Sequence, residues 1–227
     1  MNPNKKIARL AGLFYFLQIP LCTFGVLYVS KALIVQGNPA STAHNILAHE
    51  SLFRLSIVSA LLGALDTIVT GVFLYKLFRH VNKSHAKILL ACTLVVGPIA
   101  MFNELNKAIA LLLLKSPTYL SAFSAIQLQT ISYAFLDLHK YGIQIAGIFW
   151  GLWLFPMGYL VIQSKFIPKI IGIFLLIGFI GYMIDFITFF MFPNFGVIVS
   201  EFTFLGEVMM VFWLLIKGVK MPQIKTS

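Results

Sequence analysis

The chain has 227 residues, of which 59% are hydrophobic types and 11% charged, with 17 basic against 7 acidic side chains and a net charge of +10. Soluble domains run about half apolar and about a quarter charged, and a chain of this length cannot hide so large an apolar excess in one soluble core. A soluble globule, a disordered chain and a disulfide scaffold are excluded, which leaves a polytopic membrane protein.

Lys5, Lys6 and Arg9 precede an uncharged run from Leu10 to Ser30. A signal-peptide core spans only about 7–15 residues and a membrane helix about 20, so this run is expected to be a retained first helix. Six stretches pass the same length test: 10–30, 54–78, 87–114, 141–163, 169–192 and 198–217. Their unbroken apolar character suits helices rather than alternating barrel strands. The expected fold is therefore all-α, a six-transmembrane-helix bundle filling 1–227 as a single membrane domain. Pro20, Pro98 and Pro156 predict kinks in spans one, three and four, because proline removes a helical donor. Pro168 and Pro193 bound span five. Asn38-Pro39 and Ser116-Pro117 are cap-and-proline helix starts. They predict short surface helices in the first and second outer loops, the first with Ala43, Ile46 and Leu47 on one side.

The bases set the orientation. Lys5, Lys6 and Arg9, then Lys76, Arg79, Lys83 and Lys87, then Lys165 and Lys169, then Lys217, Lys220 and Lys225 all fall on one side of the six spans. By the positive-inside rule that side is the cytoplasm, with both termini in it. Bases that bracket apolar runs point to the lipid bilayer as partner, and no nucleic acid is expected. Cys22 and Cys92 lie inside apolar stretches, where a small packed thiol is the expectation.

No acid falls in a cytoplasmic loop. Asp66, Glu104, Asp185, Glu201 and Glu207 lie within spans, in the middle and outer half of a core about 30 Å thick. Helical spacing groups Ser56, Ser59, Gly63, Asp66 and Thr70 in span two, and Gly97, Ala100, Glu104 and Lys107 in span three. Span four offers Asp137, Lys140, Tyr141, Gln144, Gly147 and Gly151; span five offers Gly178, Gly181, Tyr182, Asp185 and Thr188. Glu201 and Glu207 stand about 120° apart on a helix, so only one of the two is expected to face the bundle interior. The glycine pairs are expected to be packing points. Charged groups cost about 2.5–3.5 kcal/mol each at the membrane centre, so they must be paired, hydrated or protonated. Counted together, six acids (Asp66, Glu104, Asp137, Asp185, Glu201, Glu207) face Arg54, Lys107 and Lys140, an acidic surplus.

The five histidines carry no metal-site spacing. His44 and His49 fall about 140° apart on a helix, and Asp137 and His139 point to opposite faces if that segment is helical. No metal and no cofactor is expected, since neither a P-loop, a nucleophile elbow nor a dinucleotide fingerprint is present.

Phe135-Leu136-Asp137-Leu138-His139-Lys140-Tyr141-Gly142 resembles the D-L-H-x-Y-G signature of a bacterial integral-membrane family, a domain of unknown function (number four-three-eight-six). Asn45-Ile46-Leu47, Leu52-Phe53-Arg54, Pro168-Lys169-x-x-Gly172 and Gly181-Tyr182-x-x-Asp185 support the resemblance along nearly the whole chain. It implies a bacterial inner-membrane protein and transfers no activity.

The leading expectation is binding or transport of a proton, a cation or a cationic small molecule in an outward-facing acidic pocket. Asp66, Glu104, Asp185 and Glu207 would bind, Gln144 would line the pocket, and Arg54 and Lys107 would act as counter-ions. A membrane-embedded enzyme acting on a lipid or lipid-linked substrate is the alternative, with His139 and Asp137 in acid–base roles and Arg54 holding an anionic group. A third is an accessory subunit whose charged face pairs with another membrane protein.

Overall fold

The computed structural model describes residues 3–116, 118–192 and 195–219. Every regular element among them is helical. The order is α1 (Pro3–Cys22), a π-helical turn (Thr23–Tyr28), α2 (Val29–Leu33), α3 (Pro39–Ala48), α4 (Glu50–Phe78), α5 (Lys83–Leu114), a 3-10 turn (Thr118–Leu120), α6 (Ala125–Ser164), α7 (Lys169–Met191), α8 (Ser200–Thr203), α9 (Leu205–Phe212) and a second π-helical turn (Trp213–Lys217).

Five helical segments among the described residues are long and apolar enough to cross a membrane: Lys5–Leu33, Glu50–Phe78, Lys83–Leu114, Ala125–Ser164 and Lys169–Met191. Six were expected. The stretch 198–217 is instead divided into α8, α9 and the second π turn. The break is at Phe204, whose ψ of −5° departs from helical geometry, and whose carbonyl accepts from both Glu207 N and Val208 N.

Side-chain sorting on α4 is that of a helix in lipid. Ser56, Ser59, Asp66, Thr67 and Thr70 are buried, whereas Leu55, Val58, Leu62 and Leu65 are exposed. A helix of a water-soluble protein turns the opposite face outward. Phe102, Ile126 and Phe202 are likewise exposed, and apolar surface on this scale belongs against hydrocarbon. These are the features of a membrane protein.

The chain falls into two compact units. One comprises Met1–Leu17, Asp66–Val96 and Gln144–Ser227, and the other Gln18–Leu65 and Gly97–Ile143. The first has a core of Tyr15, Leu74, Phe78, Leu89, Trp153, Met157, Leu175 and Met210. The second is built on Val29, Leu33, Ile46, Phe53, Leu111 and Leu136.

Within the second unit α3 begins as its sequence dictates. Asn38 Oδ1 accepts from Ser41 N at 2.9 Å and Pro39 takes the first turn. Ala43 and Ile46 are buried while Leu47 is exposed. Asn45 Nδ2 donates to Leu33 O at the end of α2, so this short helix caps the preceding one as well as covering the core. The second outer loop differs from expectation. Ser116, at φ 44°, follows the end of α5 rather than opening a helix, and among the described residues the 3-10 turn Thr118–Leu120 comes before α6. Pro117, Pro193, Lys220 and Lys225 lie outside the described residues.

Of the prolines expected to kink, Pro98 and Pro156 lie inside the continuous helices α5 and α6. Pro20 lies in α1 just before the π turn. Helix α6 is the largest departure from the expected span 141–163, because it starts at Ala125. Its extra turns bury Leu128, Ser132, Leu136 and His139 at helical spacing.

Candidate functional site

The second unit contains a buried cluster of charged side chains, Glu104 and Lys107 on α5 and His139 on α6. They are 3%, 1% and 5% exposed, which is far outside the habit of ionisable groups. His139 Nε2 lies 2.7 Å from Glu104 Oε1. Lys107 Nζ lies 3.1 Å from Glu104 Oε2 and donates to Gly25 O at 2.7 Å. An ionised Glu104 accepts, so Nε2 of His139 carries the hydrogen between them. With His139 neutral the cluster sums to zero charge; with His139 protonated it carries one positive charge.

Three backbone features hold this geometry. The i, i+3 spacing of Glu104 and Lys107 puts both on one face of α5. Gly25 sits in the first π-helical turn, a helix form that frees backbone groups and recurs at functional sites. A Cβ on Gly25 would fall 2.7 Å from Ala60 N and 2.8 Å from Ser56 O, so only glycine lets this turn approach α4. The third feature is Asn103, whose Nδ2 donates to the carbonyl of His139 at 3.0 Å and whose amide is steadied by Asn106 Nδ2 at 2.9 Å. Asn103 occupies the space that a side chain at Gly142 would need. In the D-L-H-x-Y-G segment, His139 and Gly142 therefore both serve contacts with α5.

The remaining candidate residues are placed as follows. Asp137 is not beside His139; it pairs with Lys140 at 2.7 Å, and both side chains are more than a third exposed. Arg54 is exposed and pairs with Glu50 at 2.7 Å, while Lys115 reaches the other Glu50 oxygen at 3.0 Å. Gln144 is half-buried. The other acids belong to the first unit. Asp185 spends both oxygens on backbone, accepting from Val199 N at 2.6 Å and Ser200 N at 2.9 Å at the start of α8. Glu207 Oε2 accepts from Tyr15 Oη at 2.8 Å. Glu207 is half-buried and Glu201 exposed, so Glu207 is the inward member of that pair. Asp66 is buried and makes neither an ion pair nor a hydrogen bond among the described residues. Glu104, Asp137, Asp185 and Glu207 thus each take partners within their own unit, and Asp66 takes none among the described residues.

The sequence offers His139 as part of the D-L-H-x-Y-G segment and as an acid–base group of the enzyme alternative, and nothing in it links that histidine to Glu104 and Lys107. The signal that could have found it is the burial period of Leu128, Ser132, Leu136 and His139, hidden from hydropathy by the polar residues between them. No group of three or more His, Cys, Asp and Glu able to hold a metal occurs among the described residues.

The family described as Domain of unknown function (DUF4386) matches residues 10–218. An Archaeoglobus fulgidus protein carrying the name "Uncharacterized protein" is 32% identical over 172 residues, which cover 76% of this chain and 89% of that relative. No solved structure matches. With a match spanning both units and every residue of the Glu104–Lys107–His139 cluster, the chain belongs to the Domain of unknown function (DUF4386) family.

Proposed function

We propose that this multi-pass membrane protein binds and passes on a proton at the Glu104–His139–Lys107 cluster. The carrying observation is the 2.7 Å contact of His139 Nε2 with Glu104 Oε1 at a site almost wholly removed from solvent. Ionisable groups inside a membrane are costly, and proton relays of carboxylates and histidines are one of the uses that retain them. Both oxygens of Glu104 already face a partner. A proton can be added to such a cluster without displacing anything, whereas a larger cation would have to displace His139 or Lys107. This favours the proton over the cationic small molecule. His139 is the acceptor, since its second ring nitrogen gains a proton while Nε2 keeps its bond to the carboxylate. Lys107 holds the second oxygen and ties the site to the π-helical turn through Gly25 O.

We place the protein in the cytoplasmic membrane, with both basic ends in the cytoplasm. This orientation needs an even number of crossings, so the interrupted stretch 198–217 would complete a sixth.

The reading is tested by reconstituting the protein in liposomes that enclose a pH-sensitive dye and imposing a proton gradient. Wild type and Asp137→Asn should dissipate the gradient faster than empty liposomes, while Glu104→Gln and His139→Gln should not. Equal rates in all four proteins would refute it.

A further inference from the structure

Asp66 and Thr70 lie one turn apart on α4, in the first unit, and the proton site described above uses neither. Asp66 is 8% exposed and Thr70 fully buried. Asp66 Oδ2 and Thr70 Oγ1 are both sealed from solvent without a hydrogen-bond partner among the described residues. Among the described residues no base forms an ion pair with Asp66. A buried carboxylate in this state is rare, because leaving it charged and unmatched costs far more than a neutral orphan. The hydroxyl of Thr70 is unusual too. Buried helix hydroxyls generally bond back to a carbonyl of the preceding turn, as Ser56 does to Phe53 O and Thr93 to Leu90 O. Thr70 leaves this oxygen free, on the same face as the carboxylate.

We propose that Asp66 and Thr70 form a second site, which takes one monovalent cation. The ligand atoms are oxygens only, the donor set of hard cations and protons. Charge fixes the valence, since one carboxylate neutralises one positive charge and a divalent ion would leave an excess in an apolar surrounding. A proton and a sodium ion share this chemistry. Either would occupy the carboxylate and remove its unmatched charge, with the Thr70 hydroxyl as the neighbouring oxygen.

The test is the melting temperature of the purified protein in detergent, at several pH values, in sodium chloride against choline chloride of equal ionic strength. Glu104 and His139 stay intact in every variant, so the result bears on Asp66 and Thr70 alone. If sodium is the occupant, wild type should melt about 3–6 °C higher in sodium than in choline at a concentration near ten times the dissociation constant. Asp66→Asn should lose that difference and Thr70→Val should reduce it. If the proton is the occupant, the two salts should act alike, and wild type should gain stability as pH falls in a way that Asp66→Asn does not share. Thr70→Val keeps the shape of the helix face and serves if Asp66→Asn does not fold; it should then show the altered sodium or pH response by itself. Identical sodium and pH responses in wild type and in the variants that fold would overturn the proposal.

Discussion

His139 Nε2 meets Glu104 Oε1 at 2.7 Å across 35 residues of sequence, and Asn103, next to Glu104, bonds the backbone carbonyl of the same histidine. Two adjacent residues of α5 thus fix both the ring and the main chain of His139. The ring cannot turn away from the carboxylate without loss of a buried hydrogen bond, and the main chain that carries it is held in place as well, which is the preorganisation that a proton site requires.

Removing one member of the charged set should be far worse than removing two. Glu104→Ala leaves Lys107 buried without its counter-charge and should cost about 3–5 kcal/mol. Glu104→Gln combined with Lys107→Met keeps the volume and buries no charge, and should recover most of that loss. Denaturant unfolding in mixed micelles gives both values. Equal losses would mean that the pair is not coupled.

Gly25→Ala should destabilise by about 1–3 kcal/mol, the range for overpacking a close contact, because its Cβ meets Ala60 N and Ser56 O. The same shift moves the carbonyl that Lys107 uses. The variant should therefore slow dye-monitored proton movement as well as lower the melting temperature.

The pair Gly147 and Gly151, which the sequence joins in one small-x-x-x-small motif, should respond in opposite ways. A Cβ on Gly151 would fall 2.7 Å from Tyr182 Cβ and from Met183 Cε, whereas one on Gly147 meets nothing within 4 Å. Gly151→Ala should lose about 1–3 kcal/mol, and Gly147→Ala should be neutral or gain about 0.4–1 kcal/mol through the unfolded chain. Thermal unfolding of the two variants decides it.

Much of this architecture is legible in the sequence because it rests on local rules. The apolar runs of 54–78, 87–114 and 169–192 lie within or closely match α4, α5 and α7, and Asn38 with Pro39 marks the start of α3. What the sequence hides is set by tertiary contacts. The first turns of α6 read as a polar connection, since Gln127, Gln129 and Thr130 dilute the buried face. The expected sixth helix breaks at Phe204, where no proline or glycine announces it. Asp185 looked like a free intramembrane acid because its partners are backbone amides of Val199 and Ser200, which no residue pattern displays. Likewise His139 and Glu104 become partners only once α6 is known to extend down to Ala125.

Asp185→Ala should therefore act on structure. It removes the acceptor for two part-buried backbone N–H groups and should cost about 1 kcal/mol or somewhat more, the penalty for leaving such donors unpaired. Asp185→Asn keeps one acceptor oxygen and should lose less. Amide hydrogen exchange at Val199 and Ser200 should rise in both variants, and unchanged exchange there would contradict the capping role.

Orientation is checked by fusing a reporter active only in the cytoplasm. A fusion after Ser227 should be active, and one in the connection between α3 and α4 should be silent. An inactive C-terminal fusion with an active N-terminal one would mean five crossings, with the stretch 198–217 outside the membrane.

The most direct measurement is a nitrogen-15 spectrum of histidine in protein whose other four histidines, His44, His49, His80 and His85, are replaced by glutamine. The remaining His139 signals should show Nε2 carrying its hydrogen in a bond to the carboxylate, and Glu104→Gln should displace the Nε2 signal. A ring whose Nε2 carries no hydrogen, or whose signals are unchanged in Glu104→Gln, would contradict a proton site built from His139 and Glu104.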